Sequence, residues 1–291
     1  MSIPRSPLHY GSSFITPLRS TLPDSLSPEN NRLPAPFVAL ITGASRGIGQ
    51  QIATTFAAAG ATGLILTARS LAALAAVHAQ CIARSPHPSR LRITLLAVDL
   101  TLPATAAATI RDAMSANHDR LDALINNAGV VSTDPSAWAG NNVQDAGLDQ
   151  VAVPMTVNYV ARFAVIQACL KDDLTVISVR SECAHFTGWG PLGFCVSELA
   201  GLRLGEALAE RLEDRRVRVY TVHPGMVRTG RPAGMPEDVH ALAGDDAGLC
   251  GGFCLRLCRE RPAWLSGCYL SAKWDVEGLK MREREVVEGG V

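Results

Sequence analysis

A glycine-rich stretch, Thr42-Gly43-Ala44-Ser45-Arg46-Gly47-Ile48-Gly49, joins an apolar strand pattern to an Ala-rich helix pattern. Glycines at such a junction permit a tight turn and let backbone amides at a helix N-terminus approach a pyrophosphate. Much later in the chain, Phe194 and Glu198 stand four residues apart on a helix pattern, so they share one face. A carboxylate there accepts hydrogen bonds, whereas a phenyl ring cannot give up a proton. His185 titrates near neutrality and could donate one, or could serve only as a polar loop residue. Cys250, Cys254 and Cys258 recur every four residues and stack on one helix face, with no His near them in sequence. A metal site would need further ligands, so they read as small buried hydrophobes and no metal is expected. The eight cysteines form no dense framework, which points to reduced thiols.

These residues hang on a regular alternation of strand and helix patterns. Strands are expected at 37–42, 63–67, 91–98, 121–125, 174–179, 217–222 and 268–271. Helices are expected at 48–59, 70–83, 104–114, 154–170, 193–212 and 248–259. Alternation of this kind specifies an α/β fold: a doubly wound parallel sheet of about seven strands, helices on both faces, with right-handed crossovers. Ligands in such sheets bind at the carboxyl ends of the strands, where the strand order reverses. The glycine turn falls at such an end.

Composition narrows the function classes. Lys plus Arg and Asp plus Glu are both 27, so no basic patch argues for nucleic acid and no acidic tail for a solvating role. Hydrophobic residues reach 47% but aromatics only 5%, as expected for aliphatic helices packed on a parallel sheet. No uninterrupted apolar run approaches a membrane span, and a cytoplasmic location is the expectation. The first 36 residues hold seven prolines and no helical period. Residues 1–35 are read as a Pro/Ser-rich arm, lying on the domain or disordered, with a transit role as a lesser alternative. Residues 36–291 are read as one domain.

Four motifs in order give a family resemblance. The chain resembles the short-chain dehydrogenases/reductases over about residues 36–275, with T-G-x-x-x-G-x-G as Thr42–Gly49. Asp99-Leu100 ends the third strand, where this family contacts adenine. Asn126-Asn127-Ala128-Gly129 is its N-N-A-G segment. Pro224-Gly225-Met226-Val227-Arg228-Thr229 is its P-G-x-V-x-T segment beside the nicotinamide. The Pro-rich arm and the ending Leu270–Asp275 look similar to a fungal subgroup tied to small-molecule biosynthesis. The resemblance implies a Rossmann-type fold, a nicotinamide cofactor, and homodimers or homotetramers built through two long central helices. Cofactor-binding positions carried over are Gly43, Ser45, Arg46, Gly47, Ile48, Gly49, Arg69, Asp99, Leu100, Asn127, Ala128, Gly129, Pro224, Gly225, Val227 and Thr229. Members selective for NAD end the second strand with an acid that repels a 2′-phosphate. Here Ala68 and then Arg69 follow, with Arg46 in the turn. Two guanidinium groups and no acid suit NADP(H).

The resemblance also implies an Asn, Ser, Tyr and Lys active site. Asn158 and Ser181 match the first two. Phe194 and Glu198 then occupy the positions of the Tyr acid and of the Lys that lowers its pKa and binds ribose. No Tyr or Lys lies between Ser181 and Arg211, so no local shift of register restores the pair. Glu198 could still accept from ribose hydroxyls. Phe186, Trp189, Phe194 and Met226 would give an apolar wall suited to a hydrophobic substrate.

Three functions follow as expectations. The first is an atypical NADP(H)-binding enzyme of small-molecule biosynthesis, with Ser181 polarising a carbonyl and Asn158 or His185 in support. Its step would be a non-standard reduction, or a non-redox cyclisation, isomerisation or dehydration. The second is a non-catalytic NADP(H)-binding partner or sensor. Ordinary carbonyl reduction comes third, because a positioned general acid contributes about 10²–10⁴ in rate.

Overall fold

Five consecutive buried residues, Val38–Thr42, form β1 at the centre of a seven-stranded sheet. The structure is a computed structural model that describes residues 14–118, 120–132, 135–138, 144, 147–185, 190–230 and 235–289. The other strands are β2 (Gly63–Ala68), β3 (Arg92–Ala97), β4 (Ala123–Asn126), β5 (Thr175–Val179), β6 (Arg218–His223) and β7 (Tyr269–Ser271). Their spatial order is β3-β2-β1-β4-β5-β6-β7, and every pairing is parallel. The order reverses between β1 and β4, which opens a crevice at their carboxyl ends.

Both faces are covered, so the strands read as apolar runs rather than as alternating ones. Along β1, Ala39 and Ile41 face one core while Val38 and Leu40 face the other. The first core is closed by α1 (Gly47–Ala58), α2 (Leu71–Arg84) and α7 (Ala247–Glu260). The second is closed by α3 (Pro103–Asn117), α4 (Asp149–Cys169) and the end of α5 (Leu192–Arg211). Short helices α6 (Glu237–Ala241), α8 (Val276–Met281) and α9 (Glu283–Gly289) complete the described residues.

Two expectations need correction. The helix expected at 154–170 begins at Asp149, because Pro154 lies inside it rather than at its start. Proline lacks an N–H and removes one intrahelical bond, and a π-helical stretch, Met155–Ala161, follows directly. Helices α6, α8 and α9 were not anticipated; the buried apolar positions of α8 and α9 (Val276, Leu279 and Val286) are too sparse to show a period. Helix α4 is long and apolar enough to cross a membrane by length and composition alone, although Asn158 and Arg162 interrupt its apolar run. It packs against α3 and α5 and carries buried Asn158 and Arg162, which identifies it as a core helix here.

The described part of the arm lies on the domain. Ile15 and Leu26 are buried, Arg19 pairs with Asp275 at 2.5 Å, and the Asp246 amide donates to the Ser20 carbonyl. The triplet Cys250, Cys254 and Cys258 is buried on α7, as small hydrophobes are. No group of metal-binding side chains occurs among the described residues.

Candidate active site

The nucleotide cradle is assembled by backbone contacts that need the residues found in it. Gly43 adopts φ +65°, a region that side chains disfavour, and its α-carbon lies against Ala128. Thr42 Oγ1 accepts from the amides of Asn127 and Ala128, both at 3.0 Å. Asn127 Nδ2 returns the bond to the carbonyls of Thr42 and Gly43 at 3.0 and 3.2 Å. A Cβ on Gly49 would collide with the Gly43 carbonyl and with Asn127 Nδ2. The turn after β1 and the segment after β4 are thus locked together at the crevice. Thr229 borders Gly47 from the other side, and the Arg46 guanidinium lies over Gly230. The amide of Met226, between Gly225 and Val227, donates to Asp245 at 2.7 Å. That cradle fits a pyrophosphate: its turn is glycine-lined, and the amino end of α1 opens into it.

Arg46 in the turn, and Arg69 and Asp99 beyond the ends of β2 and β3, are exposed, while Leu100 is buried. Asp99 accepts from the amide and hydroxyl of Thr101, both at 2.9 Å, and those bonds hold its carboxyl below the usual range, with Arg69 adding a smaller pull. Ser45, Ile48 and Ala128 are half-buried, while Pro224 is buried.

The catalytic positions are arranged differently from the expectation. Glu198, read as a ribose acceptor, is 2% exposed and turned inward. One of its oxygens accepts from Arg180 Nη1 at 3.1 Å, the other from the Ser181 amide at 2.6 Å. Arg180 is 2% exposed as well, and its guanidinium packs on Gly201, where any Cβ would collide with it. Arg162 is a third buried charge. It donates to the carbonyls of Ala128 at 3.0 Å and Val179 at 2.6 Å. Burial, then the charge of Arg180, pushes the Arg162 guanidinium down to about 9, and Glu198 opposes that shift. One carboxylate therefore serves two guanidinium groups beneath the serine loop. A buried charge without such partners would be costly.

Ser181 is half-buried at the end of β5, and its Oγ accepts from the Cys183 amide at 3.1 Å. An oxygen that accepts from one side keeps its own proton for another acceptor. Asn158 sits in the π-helical stretch of α4. It accepts from the Val130 amide at 2.9 Å and donates to the Val130 carbonyl at 2.8 Å and to Ser197 Oγ at 3.0 Å. Ser197 in turn donates to the Phe194 carbonyl at 2.8 Å. Asn158 therefore ties the N-N-A-G segment to α5. Phe194 is half-buried near Gly190. Phe186 and Trp189, expected to share the apolar wall, lie outside the described residues.

His185 stands apart from this group. Its ring meets Tyr269 edge-on at 4.7 Å, and it lines a cavity of about 580 Å³ along edge strand β7. Burial pushes His185 below its ordinary range. A further pair lies nearby, with half-buried Glu182 placing Oε2 at 3.8 Å from Nε2 of buried His223. Burial drives the two toward neutrality from opposite sides, raising Glu182 and lowering His223 to about 4.

Sequence reasoning missed Arg180 and Arg162. The available signal was a charge inside an apolar run, Val176-Ile177-Ser178-Val179-Arg180, where alternation puts position 180 in the core.

The described geometry has close relatives. A short chain dehydrogenase profile matches residues 37–239. "Short chain dehydrogenase mpl6" of Monascus purpureus is 35% identical over 260 residues, covering 86% of this chain and 85% of that protein. "Short chain dehydrogenase pgmD" of Aspergillus terreus is 27% identical over 298 residues, covering 99% of this chain and 95% of its own length. Among solved structures, a short chain dehydrogenase from Shigella flexneri complexed with NADP superposes with a TM-score of 0.69. It is 25% identical, covering 83% of this chain and 98% of that one. The crevice between β1 and β4, its glycine turn and the matched profile agree, and the chain belongs to the short-chain dehydrogenase family.

Proposed function

We propose that the protein binds NADP(H) and acts on an apolar, carbonyl-containing intermediate in fungal small-molecule biosynthesis, without the tyrosine–lysine proton relay of its family. The observation that carries the reading is the environment of Ser181. Its amide is held by Glu198 and its Oγ accepts from the Cys183 amide, which leaves the hydroxyl proton available to an incoming carbonyl oxygen. Phe194 adds an apolar surface and no acid. Glu198, paired with Arg180, serves as a support for the serine loop rather than as a ribose ligand.

When bound, the nicotinamide group supplies two-electron chemistry. Gly43, Ser45, Gly47, Ile48 and Gly49 would hold the pyrophosphate, with Asn127, Ala128 and Gly129 beside it. Arg46 and Arg69 would take the 2′-phosphate, and Pro224, Gly225, Val227 and Thr229 would border the nicotinamide. A reduction would then draw its proton from a group other than a phenol. A cyclisation, isomerisation or dehydration would need mainly shape and carbonyl polarisation, which Ser181 supplies. Asn158 supports the site by positioning α5. His185 faces the β7 cavity and would act only through movement of its loop.

The test uses a panel of apolar carbonyl compounds, with product mass and NADPH consumption both followed. Ser181→Ala is expected to remove the activity found, by about 10²-fold or more, while NADPH affinity stays within about two-fold. An activity untouched by this change contradicts the role given to Ser181. For cofactor choice, Arg69→Glu should weaken NADPH binding about ten-fold or more relative to NADH, since one charge-assisted contact contributes about 1.5–3 kcal/mol. Equal affinities before and after would remove the argument for NADP(H).

A non-catalytic NADP(H)-binding subunit is the second reading, favoured by the buried ion pair that fills the former relay. NADPH binding with no Ser181-dependent product would decide for it. Val160 and Phe163 on α4, with Val196 and Leu199 on α5, are exposed apolar residues that suit a subunit contact along these helices.

A further inference from the structure

Two cysteines meet beside Gly190, close in sequence to Ser181 and Phe194. Cys183 lies two residues after Ser181, and its amide is the one that holds the serine Oγ. Cys195 follows Phe194 in the first turns of α5. Their thiols are hydrogen-bonded to each other. Both sulfur atoms also converge on Gly190, at 3.8 and 3.6 Å from where its Cβ would stand. Each residue is only partly buried.

We propose that Cys183 and Cys195 form a redox-active dithiol, oxidised by a low-molecular-weight disulfide to an intramolecular disulfide that ties the Ser181 loop to α5. The hydrogen bond between the thiols holds Cys195 below its ordinary range, whereas that bond and burial push Cys183 up. Cys195 is therefore the attacking thiolate. It bonds to one sulfur of the external disulfide, whose S–S bond breaks and releases one small thiol. Cys183 then loses its proton to solvent and attacks the Cys195 sulfur, releasing the second small thiol. In sum, two protein thiols lose two electrons and two protons, and one external disulfide is reduced to two thiols.

The remaining cysteines supply the contrast. Cys250 and Cys254 also approach, at 3.9 Å, but both are fully buried on α7, and Cys254 is pushed well up by their mutual hydrogen bond and by burial. Cys81, Cys169 and Cys258 are buried with raised pKa values. Cys268 is half-buried beside the Trp264 carbonyl, and burial raises it too. Proximity, access and a lowered thiol coincide only at Cys183 and Cys195.

The proposal extends beyond the proposed reaction, and its test reads mass rather than turnover. The full-length reduced protein is incubated with oxidised glutathione near neutral pH and digested without reductant. The expected product is a Cys183–Cys195 linked peptide that disappears on reduction. Cys183→Ala is expected to leave glutathione on Cys195, and Cys195→Ala to leave Cys183 a thiol under the same exposure. The native linked peptide is readable even if either variant misfolds. Glutathione on Cys268 with Cys183 and Cys195 still thiols, or glutathione on both without a link, would overturn the proposal.

Discussion

A Glu198→Lys variant is expected to lose about 3–5 kcal/mol of folding stability, the cost of breaking one partner out of a buried ion pair. Such a loss is a large share of the roughly 5–15 kcal/mol that holds a typical domain together. Glu198 is the one carboxylate placed against the buried guanidinium groups of Arg180 and Arg162 among the described contacts. A lysine there would set three cations side by side in a space closed to water. Urea unfolding should show a much lower midpoint or no folded baseline. Adding Arg180→Ser should return most of that loss, because it removes the like charge and leaves a smaller side chain beside Gly201. An unchanged midpoint in Glu198→Lys would mean that the pair is not the buried keystone described above. The same reasoning bears on rebuilding a conventional relay. Phe194→Tyr with Glu198→Lys is insufficient, and Arg180 must change with them.

Gly49→Val carries the second large effect. Its side chain would strike the Gly43 carbonyl and the Asn127 amide nitrogen that seals the turn. The backbone amides aimed at the pyrophosphate would shift together. Losing two charge-assisted contacts of about 1.5–3 kcal/mol each amounts to about 10²–10⁴ in affinity. Fluorescence titration with NADPH should show binding weakened by at least about 100-fold. Gly244→Val serves as the comparison, since nothing lies within 4 Å of the Cβ it would gain. Equal NADPH affinity in the two variants would show that the glycine turn does not hold the cofactor.

Strands β1, β2, β4 and β5 were legible because they are buried throughout and so appear as apolar runs, whereas edge strand β3 is only half-buried. The cradle was legible because its chemistry is local: glycines where the chain turns, and Asn127 where a side chain must close the turn. The start of α4 was not, since Pro154 looks like a helix opening and the π-helical stretch behind it keeps no 3.6-residue period. The Arg180–Glu198 pair was hidden for a different reason. Each charge is unremarkable in sequence, and only packing α5 on β6 and on the segment that follows β5 brings them together. Glu198 was accordingly read as facing ribose, whereas its two oxygens are turned to Arg180 and the Ser181 amide. Cys183 and Cys195 belong to the same class, two ordinary residues made a pair by the fold. The regular spacing of Cys250, Cys254 and Cys258 drew attention instead, and those thiols are buried in the α7 core.

The central claim is that a working nucleotide cradle coexists with a proton relay converted into a buried structural pair. Its most direct measurement combines NADPH titration of the native protein with NADPH consumption over the carbonyl panel. The account predicts saturable NADPH binding, with consumption about 10²–10⁴ below the 1–10³ s⁻¹ usual for enzymes. Consumption within that usual range would show that another group delivers the proton, and would contradict it.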